Sequence, residues 1–259
     1  MTANAGIHAG ANPDARDRLA IALDRPDLDD ALRLARDVAP WFGVAKVGLE
    51  LYSAAGPEAI RQMDALGMKV FCDLKLHDIP TTVGRAARVL GGLGVSYLNF
   101  HAAGGVEMLR AGVEGLREGA LDAQSHGALD AQSHGARNAQ RAAPVPIAVT
   151  VLTSDPDASA FDARLAYAIE SGCGGVVCSV QEIARVKAAR QDYVTIVPGI
   201  RLDDGDRHDQ ARVGTPAQVA TAGGDVLVIG RQVSAARDPA AAAREIHDSV
   251  ADALATSRV

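Results

Sequence analysis

A chain of 259 residues, 48% hydrophobic and 22% charged, can bury one large core, and this length suits a single α/β barrel as well as two smaller domains. The formal net charge of −6, with no basic run or aromatic-interleaved patch, argues against a nucleic-acid partner and points to a small molecule. No apolar run is long enough to span a membrane, and Cys72, Cys173 and Cys178, odd in number and without a CxxC pair, read as reduced thiols of a cytoplasmic protein and not as disulfides or a metal site.

Residues 1–17 are rich in Ala, Gly and Asn and lack both an apolar core and a basic start, so they read as a flexible leader and not as a signal peptide. One domain is expected over 18–259. Short runs rich in Val, Ile and Leu follow at Leu19–Leu23, Val44–Leu49, Lys69–Asp73, Val95–Phe100, Pro146–Leu152, Gly174–Val177, Tyr193–Val197 and Asp225–Ile229. Helical patterns separate them. In the first, Leu28, Ala31, Leu32, Ala35 and Val38 share one face while Asp27, Asp29 and Asp30 sit near the positive amino end. Strands alternating with amphipathic helices imply parallel pairing, and eight such units favour a closed (β/α)8 TIM barrel over a doubly wound open sheet.

The rhythm breaks once, between the fourth and fifth strands. Gly119–His126 is followed by an identical copy at Gly127–His134 and a degraded third copy from Gly135, which marks a repeat insertion at about 119–141. Its Ala, Gly, Gln and Ser content suits either a helix extension or a mobile loop. His126 and His134 are spaced like a metal pair, but duplication produces that spacing without any ligand, so no metal is expected there.

Charged residues gather where a parallel barrel keeps its chemistry, at the carboxyl ends of strands. Asp24 follows the first strand, Lys46 sits inside the second, and Asp73-Leu-Lys75-Leu-His-Asp78-Ile-Pro80 ends the third. In an extended strand Asp73 and Lys75 would share a face. Each charge could simply be half-exposed at the rim, but an ammonium within the apolar run Val44–Leu49 is costly without carboxylate neighbours, and Asp24 and Asp73 can supply them. At the other end, the eighth strand exits through Gly230-Arg231, where glycine N–H groups and a guanidinium suit a phosphate. Pro198-Gly-Ile-Arg201 follows the seventh strand, and the polar run to Arg212 is either a lid or a solvated loop. His77 reads as packing or as an indirect hydrogen-bonding partner, and His101 stands nearer the barrel mouth. The Gly91-Gly-Leu-Gly94 run reads as a helix stop because it precedes a strand instead of following one.

Taken in order, Ala22-Leu-Asp24, Lys46-Val-Gly48, Asp73-Leu-Lys-Leu-His-Asp-Ile-Pro80, Thr150-Val-Leu-Thr-Ser154, Pro198-Gly-Ile-Arg201, Asp209-Gln210, Thr215-Pro216 and Val228-Ile-Gly-Arg231 resemble orotidine 5′-phosphate decarboxylases of the common bacterial type. The resemblance runs from about Arg18 to Pro239, interrupted by the repeat. It implies a cofactor-free conversion of orotidine 5′-monophosphate to UMP and CO2 in pyrimidine biosynthesis, by a homodimer with shared active sites. Lys75 is then the proton donor, flanked by Asp73, by Lys46 and by Asp78 reaching in from the other subunit. The resemblance further implies that Asp24 and Lys46 meet the ribose, Thr82 the ribose across the interface, and Thr153 with Ser154 the pyrimidine. Arg201, Gln210, Gly230 and Arg231 would surround the phosphate. The Asp-x-Lys-x-x-Asp element also occurs in metal-dependent sugar-phosphate decarboxylases and hexulose-phosphate synthases, but those relatives are expected to carry a metal-binding Glu where this chain has Lys46. A barrel that senses a phosphate ligand without turning it over is the remaining alternative, and it has no need of Lys75 between carboxylates. Two departures from the pattern stand out: Thr81 where Asn is usual, and an acidic run of Asp203, Asp204, Asp206 and Asp209 before Gln210.

Overall fold

The computed structural model describes residues 13–129, 142–152, 154–155, 157–200 and 214–256. Eight parallel strands close into a barrel in sequence order: β1 (Leu19–Ala22), β2 (Val44–Gly48), β3 (Lys69–Leu76), β4 (Tyr97–His101), β5 (Val145–Val149), β6 (Gly175–Val177), β7 (Val194–Val197) and β8 (Val226–Ile229). β1 pairs with both β2 and β8, so no edge is left open. The barrel is thus closed, and the open-sheet alternative is set aside.

Strand parity sorts the apolar side chains into two cores. Leu19, Ile21 and Leu23 face the surrounding helices, with Ala45, Val47 and Cys72. Ala20, Ala22, Val44, Phe71, Ile147, Val149, Ile196, Val226 and Val228 fill the barrel's interior. Stacked side-chain layers make that interior a packed core and not a pore. The helix Leu28–Val38 forms as its sequence suggests: the Asp27 carboxylate accepts from the Asp30 backbone N–H at 2.8 Å, and Ala31, Leu32, Ala35 and Val38 are buried. Gly94, at φ +79°, follows the helix Pro80–Gly92 and turns the chain into β4, as a helix stop should.

One expectation about chain segments changes and a second narrows. Pro13–Asp17 is a short helix whose Ala15 is fully buried and whose Arg16 carbonyl accepts from the Gly43 N–H at 2.8 Å, so the last five residues assigned to the leader belong to the barrel's base. Residues 1–12 lie outside the described residues. The helix Gly105–Leu129 runs through the whole first copy of the octapeptide, so the repeat begins as a helix extension. Gly119 opens that copy against the backbone of Arg88, where no Cβ would fit, and the Arg88 guanidinium reaches Asp122 at 2.7 Å and Glu118 at 3.3 Å. The rest of the repeat, 130–141, lies outside the described residues.

Candidate active site at the carboxyl mouth

Parallel register places the charges. Lys46 stands beside Ala22 of β1, and Asp73 beside Gly48 of β2, so successive interior positions of adjacent strands carry an ammonium and then a carboxylate. The Lys46 Nζ donates to the Asp24 Oδ1 at 2.7 Å and lies 3.4 Å from the Asp73 Oδ2. The Lys75 Nζ donates to the Asp73 Oδ1 at 2.6 Å. Asp24, Lys46, Asp73 and Lys75 therefore form an alternating row with no net charge. Lys46 is 7% exposed, and an ammonium that deep is tolerable only between such carboxylates.

The contact between Asp73 and Lys75 arises differently from what strand alternation suggests. Cys72 pairs with Leu98 and Leu76 with Phe100, so β3 advances four residues while β4 advances two. The extra residues bulge at the chemistry-bearing stretch. Within it Lys75 takes φ +50°, the one non-glycine residue with positive φ among the described residues. For a long side chain this costs about 1–2 kcal/mol, and it persists where surrounding contacts over-determine it. The fully buried Asn99 makes two of those contacts: its Nδ2 donates to the Asp73 Oδ1 at 2.6 Å, and its Oδ1 accepts from the Lys75 backbone N–H at 2.7 Å. Asn99 escapes the motif reading. Its signal is an amide between the buried Leu98 and Phe100 of β4, one strand away from Asp73.

Burial, the largest influence on the Asp73 carboxyl, would raise its pKa, but the ammonium groups of Lys46 and Lys75 and hydrogen bonds from Lys75 and Asn99 outweigh it and hold it below the ordinary value. Asp73 is thus ionised throughout the physiological range. His77 and His101 stack with ring centroids 5.3 Å apart, which satisfies the packing role expected of His77. Burial, the largest cause, pushes the His101 imidazole below its ordinary 6.5, and the neighbouring His77, Arg164 and Lys75 lower it further. Its Nδ1 accepts from the Ala103 N–H at 3.3 Å.

A cavity of about 650 Å³ opens over this row. Asp24, Lys46, Asp73 and Lys75 line one side, and Pro198, Gly199, Gly230 and Arg231 line the part formed by β7 and β8. Barrel closure therefore joins the acid–base row to the proposed phosphate end. Asp78, Thr82 and Ser154 do not line it: all three are exposed, and the Asp78 Oδ1 accepts from the Ile79 N–H at 2.6 Å. Thr153, Arg201 and Gln210, with the whole 202–212 run, lie outside the described residues. Cys72, Cys173 and Cys178 are buried and form no disulfide among the described residues, and burial pushes the Cys72 thiol up to about 12.

An acid–base row and a glycine–arginine exit facing one cavity, at the carboxyl end of a closed parallel barrel, define a (β/α)8-barrel enzyme. The chain belongs to the orotidine 5′-phosphate decarboxylase / HUMPS family, whose model matches residues 17–246. It is 45% identical over 246 residues to an orotidine 5′-phosphate decarboxylase of Moorella thermoacetica, covering 90% of this chain and 91% of that one. Identity to the corresponding enzyme of Anaeromyxobacter dehalogenans is also 45%, over 89% of this chain and 96% of the other. Among solved structures it is similar to orotidine 5′-phosphate decarboxylase from Lactobacillus acidophilus, with a TM-score of 0.72, 28% identity, and coverage of 90% and 99%.

Proposed function

We propose that this protein decarboxylates orotidine 5′-monophosphate to UMP and CO2 in pyrimidine biosynthesis, with Lys75 as the proton donor and without a cofactor. The observation that carries the reading is the Lys75 ammonium, held 2.6 Å from an ionised Asp73 at the wall of the cavity. Breaking the bond to the departing CO2 leaves an electron pair on a ring carbon. A preorganised cation at that carbon stabilises the pair as it forms and then supplies the proton that fills it. The Asp73 carboxylate fixes the Lys75 ammonium in position beforehand and is itself shared with Lys46 at 3.4 Å. Binding energy from the phosphate at Gly230 and Arg231 would hold the ring against this row.

The row also bears on the metal-dependent relatives. Lys46 bridges Asp24 and Asp73, so a divalent cation between those carboxylates would have to displace an ammonium at 2.7 Å from one and 3.4 Å from the other. The family's shared motif is therefore tuned here toward a cationic side chain.

The working unit in this reading is a homodimer in the cytoplasm, with neither nucleic acid nor membrane as a partner. Asp78 and Thr82 of one subunit would complete the partner's site. Support comes from their exposure beside Ile79, which is 67% exposed and is a large apolar side chain that a second subunit would cover. Among the described residues no helix is long and apolar enough to cross a membrane.

The deciding experiment follows the absorbance of orotidine 5′-monophosphate with purified protein in excess chelator. Steady conversion to UMP is expected. No conversion, or conversion that chelator abolishes, would overturn the proposal.

A further inference from the structure

We infer that Asn99 is the positioning residue that sets where the Lys75 ammonium stands. The inference rests on the decarboxylase reading, in which Lys75 is the proton donor.

The break in the β3–β4 ladder creates a specific problem. Between the Cys72–Leu98 and Leu76–Phe100 pairs, backbone groups of the bulge lose their ladder partners inside the protein, where an unpaired N–H is costly. The Asn99 side chain takes the place of the missing strand backbone. Its carbonyl oxygen accepts from the Lys75 N–H at 2.7 Å, and its amide nitrogen donates to the Asp73 carboxylate at 2.6 Å. Only one orientation of the amide works, because Lys75 presents a donor and Asp73 an acceptor. Asn99 is fully buried, and both ends of its carboxamide are engaged by the acid–base pair.

The chemistry admits few substitutes. Leu would leave both the Lys75 N–H and one Asp73 bond bare, and an ionised Asp would set a second carboxylate against Asp73 while offering it no proton. An amide is the group of this size that stays neutral at physiological pH while donating to one residue and accepting from the other. Asn99 thereby ties the main chain of Lys75 to the carboxylate its own side chain binds, and it closes a small ring through Asp73, Lys75 and itself. The left-handed backbone at Lys75 is held from this side. The charged and titratable groups near the ring are Asp73 and Lys75 on β3, Lys46 on β2 with Asp24 bonded to it, and His101 on β4, which His77 and Arg164 flank.

Asn99→Ala and Asn99→Asp test the assignment, measured beside the native protein for kcat, KM, UMP affinity, thermal midpoint and the pH profile of kcat. Asn99→Ala is expected to lower kcat about a hundredfold while UMP affinity stays within about threefold, since a misplaced cation chiefly affects the transition state. Asn99→Asp supplies the distinguishing signature. When protonated, the introduced carboxyl has an O–H for Asp73 and a carbonyl oxygen for the Lys75 N–H, so its activity relative to native should rise as pH falls. A general loss of packing would not produce that trend. The inference is overturned if Asn99→Ala keeps kcat within about threefold, or if the kcat ratio of Asn99→Asp to native is flat with pH. Should Asn99→Ala fail to fold, the near-isosteric Asn99→Asp still decides. Native turnover separates the two readings: its absence removes the decarboxylase proposal and this inference together, whereas native turnover with unresponsive variants removes this inference alone.

Discussion

Each end of the barrel carries a lysine–aspartate pair, and the two differ in what surrounds them. At the base, the Lys187 Nζ donates to the Asp225 Oδ2 at 2.7 Å and to the Tyr193 carbonyl at 2.8 Å, while the same Asp225 oxygen accepts from both the backbone N–H and the hydroxyl of Thr195 at 2.8 Å. Protein groups absorb both partners, and the pair ties the helix Ile183–Ala189 to β7 and the start of β8. At the mouth, Lys75 shares Asp73 with Lys46 and Asn99, sits on left-handed backbone and faces a cavity. One pair is a staple. In the other, the ammonium is anchored to one carboxylate and turned toward an open cavity, which is the arrangement the proposed chemistry would use.

The sharpest way to break this contrast is to remove each lysine. Lys75→Ala should reduce kcat by at least about a thousandfold, the combined scale of a lost proton donor and a lost electrostatic stabiliser, while UMP binding by calorimetry stays measurable. A residual kcat above about a tenth of native, less than roughly 1.4 kcal/mol in barrier, would put the proton donor elsewhere.

Next in size is a recovery experiment on the proposed shared site. Lys75→Ala and Asp78→Ala homodimers should both be nearly inactive, yet a mixed dimer concentrates both lesions in one site and leaves the other whole. With equal amounts randomly remixed, about half the dimers are mixed and one site in each is intact, so activity should return to about a quarter of native. Differential tags verify the mixed dimers. No recovery in their presence would place Asp78 in its own subunit's chemistry.

Lys187→Ala should show the reverse profile at the base, losing roughly 1.5–3 kcal/mol of unfolding free energy in a urea melt with kcat within about twofold of native. A large kcat loss there would dissolve the distinction between staple and tool. The smallest effect concerns strain alone. Lys75→Gly and Lys75→Ala both abolish the ammonium, but glycine accepts φ +50° freely, so the glycine variant should be the more stable by about 1 kcal/mol. Equal thermal midpoints would show that the backbone at 75 relaxes once the side chain is gone.

The strands were legible because a parallel strand buried on both faces leaves a continuous apolar run, and each of the eight runs proved to be a strand within a few residues. Much of the site was legible for the opposite reason. Lys46 is conspicuous because nothing else in Val44–Leu49 is charged, and Asp73 and Lys75 because they interrupt an apolar run. The bulge was not legible. Alternation brings Asp73 and Lys75 together on paper, and the molecule brings them together through two extra residues and a positive φ, which no local pattern reports. Asn99 was missed because a lone amide in a strand carries no motif; its meaning depends on which strand lies alongside. The five residues at Pro13–Asp17 looked like leader because their contact, the Gly43 N–H, is far along the chain.

From residue order alone come the eight alternating units, the parity that separates inward from outward side chains, and the identity of the charged groups, since local periodicity and desolvation cost act on each segment by itself. Tertiary structure decided the rest. Pairing of β1 with β8 puts Asp24 and Arg231 on one cavity although they are separated by most of the chain, and the register of β3 against β4 sets Lys75 over Asp73 with Asn99 between them. Both depend on which strands become neighbours, a non-local outcome of closing the barrel and burying its interior.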